Sequence, residues 1–115
     1  MSGGRGWSAG LAGGLSALAG PPQRVLLVTY DLRTPSHNYA PFYEALKMQG
    51  TWWHYISSTW LIATTKQPTE LYNSVVSHIT TNDALLVVPI VRPYYGYLSK
   101  DAWDWINKHL PPLTW

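Results

Sequence analysis

Hydrophobic residues first concentrate in residues 24–30, where apolar and branched side chains follow one another with little interruption. A run of this length and composition predicts a central β-strand that is covered on at least one face. Asp31 lies at the end of this run, and Pro35 and Ser36 in the segment that follows indicate a loop. The first predicted strand therefore ends in a carboxylate.

The next segment, 39–49, repeats apolar residues at helical spacing, with Phe42 and Leu46 on one stripe. Asn38 is suited to cap such a helix, and Gly50 is suited to end it. The pattern predicts a helix over 39–49 whose apolar face packs on a sheet.

Two β-rich runs, Thr51–Ile56 and Thr59–Thr64, are separated by two serines and predict a β-hairpin. Strict alternation divides the side chains of the first run between two faces, with Trp52, His54 and Ile56 on one face and Trp53 and Tyr55 on the other. Because the two adjacent tryptophans point in opposite directions, at least one of them is expected to leave the core.

A second helix and a further strand follow the hairpin. Pro68 is suited to the first position of a helix, and apolar residues at helical spacing extend that helix to about residue 79. Residues 83–91 form another apolar run that predicts a strand. Pro89 lacks the N–H that a central strand needs, so this strand is expected at an edge of the sheet.

A third helix is predicted after a turn-rich segment, with Ser99 as its cap and prolines at 111 and 112 as its end. The resulting order predicts an α+β fold of the ferredoxin-like βαββαβ type. This fold is a sandwich with a four-stranded antiparallel sheet, here plus an appended C-terminal helix. The right-handed crossover rule places the first and third strands in the centre of the sheet and the second and fourth at its edges.

Residues 1–23 differ from the rest because they consist mainly of Gly, Ala, Ser and Leu. We interpret them as a flexible tail before a single domain over 24–110, and residues 111–115 as a short C-terminal tail. A signal peptide and a start codon assigned too far upstream are the two alternatives for the first 23 residues. No stretch approaches the roughly 18 continuous apolar residues of a membrane span, so no membrane association is expected.

Composition narrows the function classes. Charged residues make up 12% of the chain, against about 25% in typical soluble domains, and the net charge is +2. No dense basic patch for duplex phosphates is therefore expected. The chain has no Cys, which excludes disulfides and thiolate nucleophiles and leaves the cytoplasm as the default location. Seven Trp, eight Tyr and one Phe are more rings than one small core holds, so some should face a partner or ligand.

Several short motifs together resemble a known family: Val-Thr-Tyr-Asp-Leu at 28–32, Pro35, Asn-Tyr at 38–39, Ser-Thr-Trp-Leu-Ile at 58–62 and Asn-Asp-Ala-Leu-Leu-Val at 82–87. Over about residues 24–110 the chain is similar to the CRISPR-associated protein two superfamily, especially its stand-alone members often labelled SinR-like. Toxins of the virulence-associated protein D type are similar in fold and are ribonucleases.

The resemblance implies a homodimer in which two symmetry-related aspartates lie at the ends of the first strands. The resemblance also implies one of two kinds of function: some members of the family cleave RNA or DNA with Mg²⁺, whereas others are catalytically silent scaffolds. Asp31 is the residue that matches the family's metal-binding aspartate. The predicted last helix departs from the adaptation subunits, where a strand-forming tail would pair with the partner, and this weakens any role in spacer integration.

Asp31 is the first candidate site residue, because a carboxylate at the end of a central strand can reach Mg²⁺. Two such carboxylates from a dimer are able to share a hydrated ion with substrate phosphates. The alternative is an Asx turn in which Asp31 accepts hydrogen bonds from the loop at 33–38. Arg33 and His37 flank the same loop and are candidates for phosphate contact, and His37 also for proton transfer. For both, a solvated loop residue is the alternative.

The aromatic residues supply the second set of candidates. Arg92, followed by Tyr94 and Tyr95, is the best placed group for binding nucleic acid, and a salt bridge at the rim of an interface is its alternative. An exposed tryptophan of the hairpin is suited either to stack on a base or to anchor a protein interface.

Two functions from different classes follow. The first is a homodimeric protein that binds or processes nucleic acid. If this protein is an endonuclease, Asp31 is expected to be its magnesium ligand. The second is a non-catalytic dimeric interaction or scaffold module that binds protein through its aromatic surface. The low charge favours the second, and the match at Asp31 favours the first.

Overall fold

Residues 23–110 are described by a computed structural model of the chain. Both predicted tails, residues 1–23 and residues 111–115, lie outside this range, except that Gln23 is described. Its strands and helices, in chain order, are β1 (Arg24–Asp31), α1 (Ala40–Lys47), β2 (Thr51–Ile56), β3 (Thr59–Thr64), α2 (Pro68–Val75), a 3-10 turn (Val76–His78), β4 (Ala84–Pro89) and α3 (Lys100–His109). None of these helices has the length and apolarity that crossing a membrane requires.

The four strands form one antiparallel sheet in the order β2-β3-β1-β4. The central positions predicted for the first and third strands are confirmed, as is the edge position of β4. The N–H of Ile90 donates to the carbonyl of Val25 at 2.8 Å, so the nitrogen of Pro89, one residue earlier, faces away from β1. Proline is tolerated there because no ladder hydrogen bond is lost.

Both faces of the sheet carry helices. The larger core lies between the sheet and the pair α1 and α2, and its buried side chains are Leu26, Val28, Tyr30, Phe42, Leu46, Trp60, Ile62, Leu71 and Val75. The smaller core lies on the opposite face under α3, and its buried side chains are Val25, Leu61, Ala63, Ile106 and Leu110. We call the first the two-helix face and the second the α3 face.

The two ends of the described range meet beside α3. The side-chain amide of Gln23, just before β1, donates to the carbonyl of His109 at 3.3 Å. The start of β1 and the end of α3 are therefore neighbours, whereas Asp31 ends β1 at the far side of the sheet.

The helix signals are confirmed in kind but differ in length. Proline 68 occupies the first position of α2, and the predicted extension to residue 79 is a 3-10 turn beyond Val75. The hydroxyl of Ser99 accepts from the N–H of Ala102 at 3.3 Å and caps α3 as predicted. Helix α1 is shorter than 39–49 at both ends, and its cap position is Tyr39 rather than Asn38.

Gly50 is required by a close approach rather than by an unusual backbone angle. An added Cβ would overlap the carbonyl oxygen of Ala63 on β3, and Gly50 has no positive φ. The glycine therefore lets the chain leave α1 and enter β2 directly beside β3.

The hairpin contains an irregularity that strict alternation does not predict. His54 pairs with Trp60, but Ile56 pairs with Thr59, so the register shifts between them. This bulge moves Ile56 from the face of Trp52 and His54, where it was predicted, to the α3 face. Ile56 is half exposed there and adds to the apolar surface of that face.

Candidate functional site

Asp31 ends β1 opposite Ala84 of β4, with its side chain largely exposed. By alternation along β1 it shares the α3 face with Val25 and Leu27. Its Oδ2 accepts a hydrogen bond from Nε of Arg33 at 2.8 Å, and both side chains are more than half exposed. Asp31 thus binds the side chain of Arg33, and the backbone N–H of Arg33, in the loop after β1, is held by a different residue.

That residue is Asp83, which lies directly before β4. Its carboxylate accepts from the backbone N–H of Arg33 at 2.6 Å, from the backbone N–H of Thr80 at 2.7 Å and from the hydroxyl of Tyr39 at 2.8 Å. Partial burial opposes the charge of Asp83, but these donors outweigh it and lower the pKa of the carboxyl to about 2. Asp83 is therefore ionised at neutral pH and anchors the loop after β1.

His37 takes part in the same junction. Its Nε2 donates to the carbonyl of His78 at 2.9 Å, since a carbonyl can only accept, and its ring packs edge-on against Tyr39 at 4.7 Å between centroids. The hydroxyls of Thr34 and Thr80 join the same two loops at 2.7 Å. The structure thus brings the candidates Asp31, Arg33 and His37 to one end of the sheet, and gives His37 a bonding role between loops.

The second candidate group lies in the segment between β4 and α3. Tyr94 stacks on Trp103 of α3, with ring planes 8° apart and centroids 6.2 Å apart. Tyr95 is fully exposed, and Arg92 is half-buried. Tyr94 is held against α3, whereas Arg33 and His37 are bonded to residues 83 and 78 before β4, so the two candidate groups are supported by different parts of the fold.

Tyr94 and Tyr95 line a groove of about 350 Å³ on the α3 face. The rest of its lining is mainly apolar and includes Leu27, Trp53 and Ile56. Of the two adjacent tryptophans of β2, Trp53 is partly buried in the groove wall and Trp52 is exposed. Trp52 is therefore the one that leaves the core. The groove is suited to apolar or aromatic groups rather than to phosphates.

No group of three or more His, Cys, Asp or Glu side chains is placed to hold a metal ion within residues 23–110. Carboxylate oxygens are suitable ligands for Mg²⁺, and the largely exposed Asp31 is open to a second chain. A magnesium ion there would need its remaining ligands from water, from substrate phosphates or from the second copy of Asp31.

Asp83 is the site residue that sequence reasoning missed. Its position directly before a strand, next to Asn82, is the signal that would have pointed to it, but its partners lie up to 50 residues away in the chain. No family model, curated protein or solved structure matches this chain.

Proposed function

We propose that the chain is a homodimeric nucleic-acid-binding protein, similar to the CRISPR-associated protein two superfamily, that cleaves RNA or DNA with Mg²⁺. The observation that carries the proposal is the largely exposed carboxylate of Asp31 at the end of a central strand. This is the position at which the resemblance expects a metal-binding aspartate.

The fold is compatible with this proposal. The strand order β2-β3-β1-β4, with α1 and α2 on one face, is compatible with the ferredoxin-like βαββαβ arrangement, and we propose that it is one. Helix α3 is then the appended element. Because this fold carries many unrelated activities, the proposed function depends on Asp31 and Arg33 rather than on the topology.

The chemistry requires two chains. One Asp31 carboxylate supplies too few ligands, but two related by a twofold axis would face a shared position. A magnesium ion held there would supply Lewis-acid activation of a phosphate and of a bound water. Nε of Arg33 donates to Oδ2 of Asp31 at 2.8 Å, and in a dimer this positive charge would reduce the repulsion between the two carboxylates. Its exposed guanidinium is free to exchange that carboxylate for a substrate phosphate, to which it can bind in a bidentate manner.

The test is incubation of the full chain with end-labelled single-stranded RNA and DNA, with Mg²⁺ or with a chelator. Asp31→Asn should lose magnesium-dependent cleavage. Asp104→Asn is the matched control, because Asp104 is also exposed and also paired with a cation, Lys100, at 2.7 Å. Cleavage that persists in Asp31→Asn, or that needs no metal, would remove Asp31 from the mechanism.

A non-catalytic dimeric interaction module is the second candidate, and the groove on the α3 face favours it. Large apolar side chains are exposed on or beside that face, namely Ile56, Leu86, Tyr95 and Tyr97. Such a surface is typical of protein interfaces. Tyr95→Ser combined with Tyr97→Ser should abolish protein binding if the second candidate is right, and Asp31→Asn should then leave protein binding intact; if the first is right, Asp31→Asn should abolish magnesium-dependent cleavage.

A further inference from the structure

A second cavity lies on the two-helix face, at the edge strand β2. It has a volume of about 400 Å³, within the range of small-ligand pockets. Its walls come from α1 and the hairpin, and the residues that matter for its chemistry are Tyr43, Glu44, Lys47, Trp52, His54 and Trp60. We call it the Trp52 pocket.

The floor of the Trp52 pocket is a fixed aromatic platform. Trp60 is buried, and its indole N–H donates to the hydroxyl of Tyr30 at 2.9 Å. The ring of His54 stacks on Trp60 with centroids 4.2 Å apart and planes 15° apart, and Trp52 lies against Trp60 at 5.2 Å. Burial raises the pKa of Tyr30, so its hydroxyl remains a neutral partner for the indole.

The outer ring of this platform is open to solvent. Trp52 is 42% exposed although it is one of the largest apolar side chains in the chain. An exposed indole held by rings beneath it is pre-positioned to stack on another planar group, because its conformational freedom is already restricted.

The rim of the pocket is polar and nearly neutral. Nζ of Lys47 lies over the Trp52 ring, 5.7 Å from its centroid, and 3.3 Å from Oε2 of Glu44, and it would move to the edge of a base that stacks on this ring. The carboxylate accepts hydrogen bonds and the ammonium donates them. A ligand with a flat aromatic face and an edge that carries both donors and acceptors fits this combination.

We infer that the Trp52 pocket binds an unpaired nucleobase of single-stranded nucleic acid, with the base stacked on Trp52 and its edge bonded to Glu44 and Lys47. This assignment rests on the proposed function and gives it a second, metal-free contact with the substrate. Base stacking needs little net charge, which agrees with a chain of net charge +2.

The carboxylate of Glu44 also predicts a preference among bases. Guanine presents two adjacent donors, its N1–H and its amino group, to the two oxygens of a carboxylate, whereas uracil presents a single N3–H between two carbonyl groups. Guanine should therefore bind more tightly than uracil, and Glu44→Gln should reduce the difference.

The experiment uses the full chain without Mg²⁺. Adenosine, cytidine, guanosine and uridine 5′-monophosphates are titrated to about 10 mM while the indole N–H signal of Trp52 is followed by NMR. The inference expects a saturable shift of this signal. The absence of a shift with all four nucleotides would overturn it, and this reading does not depend on any variant folding correctly.

Affinity is then measured by fluorescence anisotropy with labelled single strands of about eight nucleotides. Trp52→Ala should weaken binding by about 5- to 150-fold, as the loss of one stacking contact predicts. Trp52→Phe should retain most of the affinity, since a smaller ring still stacks. Tyr72→Ala is the matched control, because Tyr72 is 41% exposed on α2 and should leave binding unchanged.

Asp31→Asn separates this inference from the proposed function. The variant should keep its Trp52 shift in metal-free buffer even where it loses cleavage. A Trp52 response with no magnesium-dependent cleavage in the wild type would leave the pocket standing and remove the nuclease. A dimer that dissociates in Trp52→Ala, with strand affinity unchanged, would assign the pocket to a second copy of the chain and overturn the inference.

Discussion

The backbone N–H of Arg33 donates to the carboxylate of Asp83 at 2.6 Å, while the side chain of the same arginine binds Asp31 at 2.8 Å. Arg33 thus connects the end of β1 to the residue that precedes β4. One carboxylate holds the main chain of the loop, and the other remains largely exposed. The structural and the candidate functional roles are divided between two aspartates.

Asp83→Asn should lower the melting temperature by several degrees at neutral pH. In the wild type, both carboxylate oxygens of Asp83 accept hydrogen bonds from Arg33, Thr80 and Tyr39. The asparagine amide has only one acceptor oxygen, and its NH₂ group would face some of these donors, so the three bonds cannot all be kept. Thermal unfolding followed by circular dichroism measures the change, with Asp104→Asn as the exposed control. Equal melting temperatures in both variants would contradict the anchoring role.

The stability of the protein should fall in acid through Asp83. Its pKa is lowered to about 2 in the folded state, below the value of about 3.9 expected when unfolded. The unfolded state therefore binds the proton first, and the stabilisation is present above about pH 4 and is lost as the pH falls towards 2. Melting temperatures between pH 5 and pH 2 should show a decline for the wild type that is shallower in Asp83→Asn.

Asp31→Asn should hardly change stability, because an exposed ion pair contributes about 0 to 1 kcal/mol and two Asp31 carboxylates in a dimer would repel each other. Mg²⁺ should raise the melting temperature of the wild type and leave that of the variant unchanged. Melting curves with and without Mg²⁺ decide this. A destabilised variant, with no magnesium effect in either protein, would leave Asp31 a purely structural residue.

Gly50→Ala should destabilise the protein by about 1 to 3 kcal/mol, since the new methyl group would overlap the carbonyl of Ala63 and force the hairpin to shift. Gly96→Ala is the matched control. A Cβ at Gly96 would meet its nearest neighbour, the ring of Trp103, at an ordinary 3.9 Å. Urea denaturation of both variants is the measurement, and a tolerated Gly50→Ala would show that β3 yields at this point.

The full chain should be a homodimer at micromolar concentration. The two edge strands and the exposed apolar side chains of the α3 face form a surface that favours association of two chains. The chain has few charged residues whose repulsion would oppose this association. Light scattering should return twice the chain mass of 12.9 kDa. A particle of 12.9 kDa would exclude the shared magnesium site as well as the dimer.

Much of the fold was predictable because its signals are local. Pro68 at a helix start, Ser99 as a cap and Pro89 on an edge strand each act within a few residues of their own position. The strand order followed from the number of elements and the handedness of their connections, since few arrangements satisfy both.

The features that escaped prediction depend on distant partners. The bulge before Ile56 has no glycine to signal it and is set by the pairing of β2 with β3. Asp83 and Arg33 are 50 residues apart, so no local pattern shows that one holds the other. Candidate residues on the first loop could be found from the sequence, but only the contacts show that His37 and Asp83 bond this loop to the segment before β4.

The contact between Gln23 and His109 has a practical consequence for handling the protein. Both ends of the domain leave from the same side, and β1 separates them from Asp31 by about 25 Å. An affinity tag, fluorescent label or fused protein joined directly at residue 23 or residue 110 would therefore begin on the side of the domain opposite the loop of Asp31. A short linker between residues 110 and 23 would also make a circularly permuted chain feasible, in which every contact around Asp31 and Asp83 is kept.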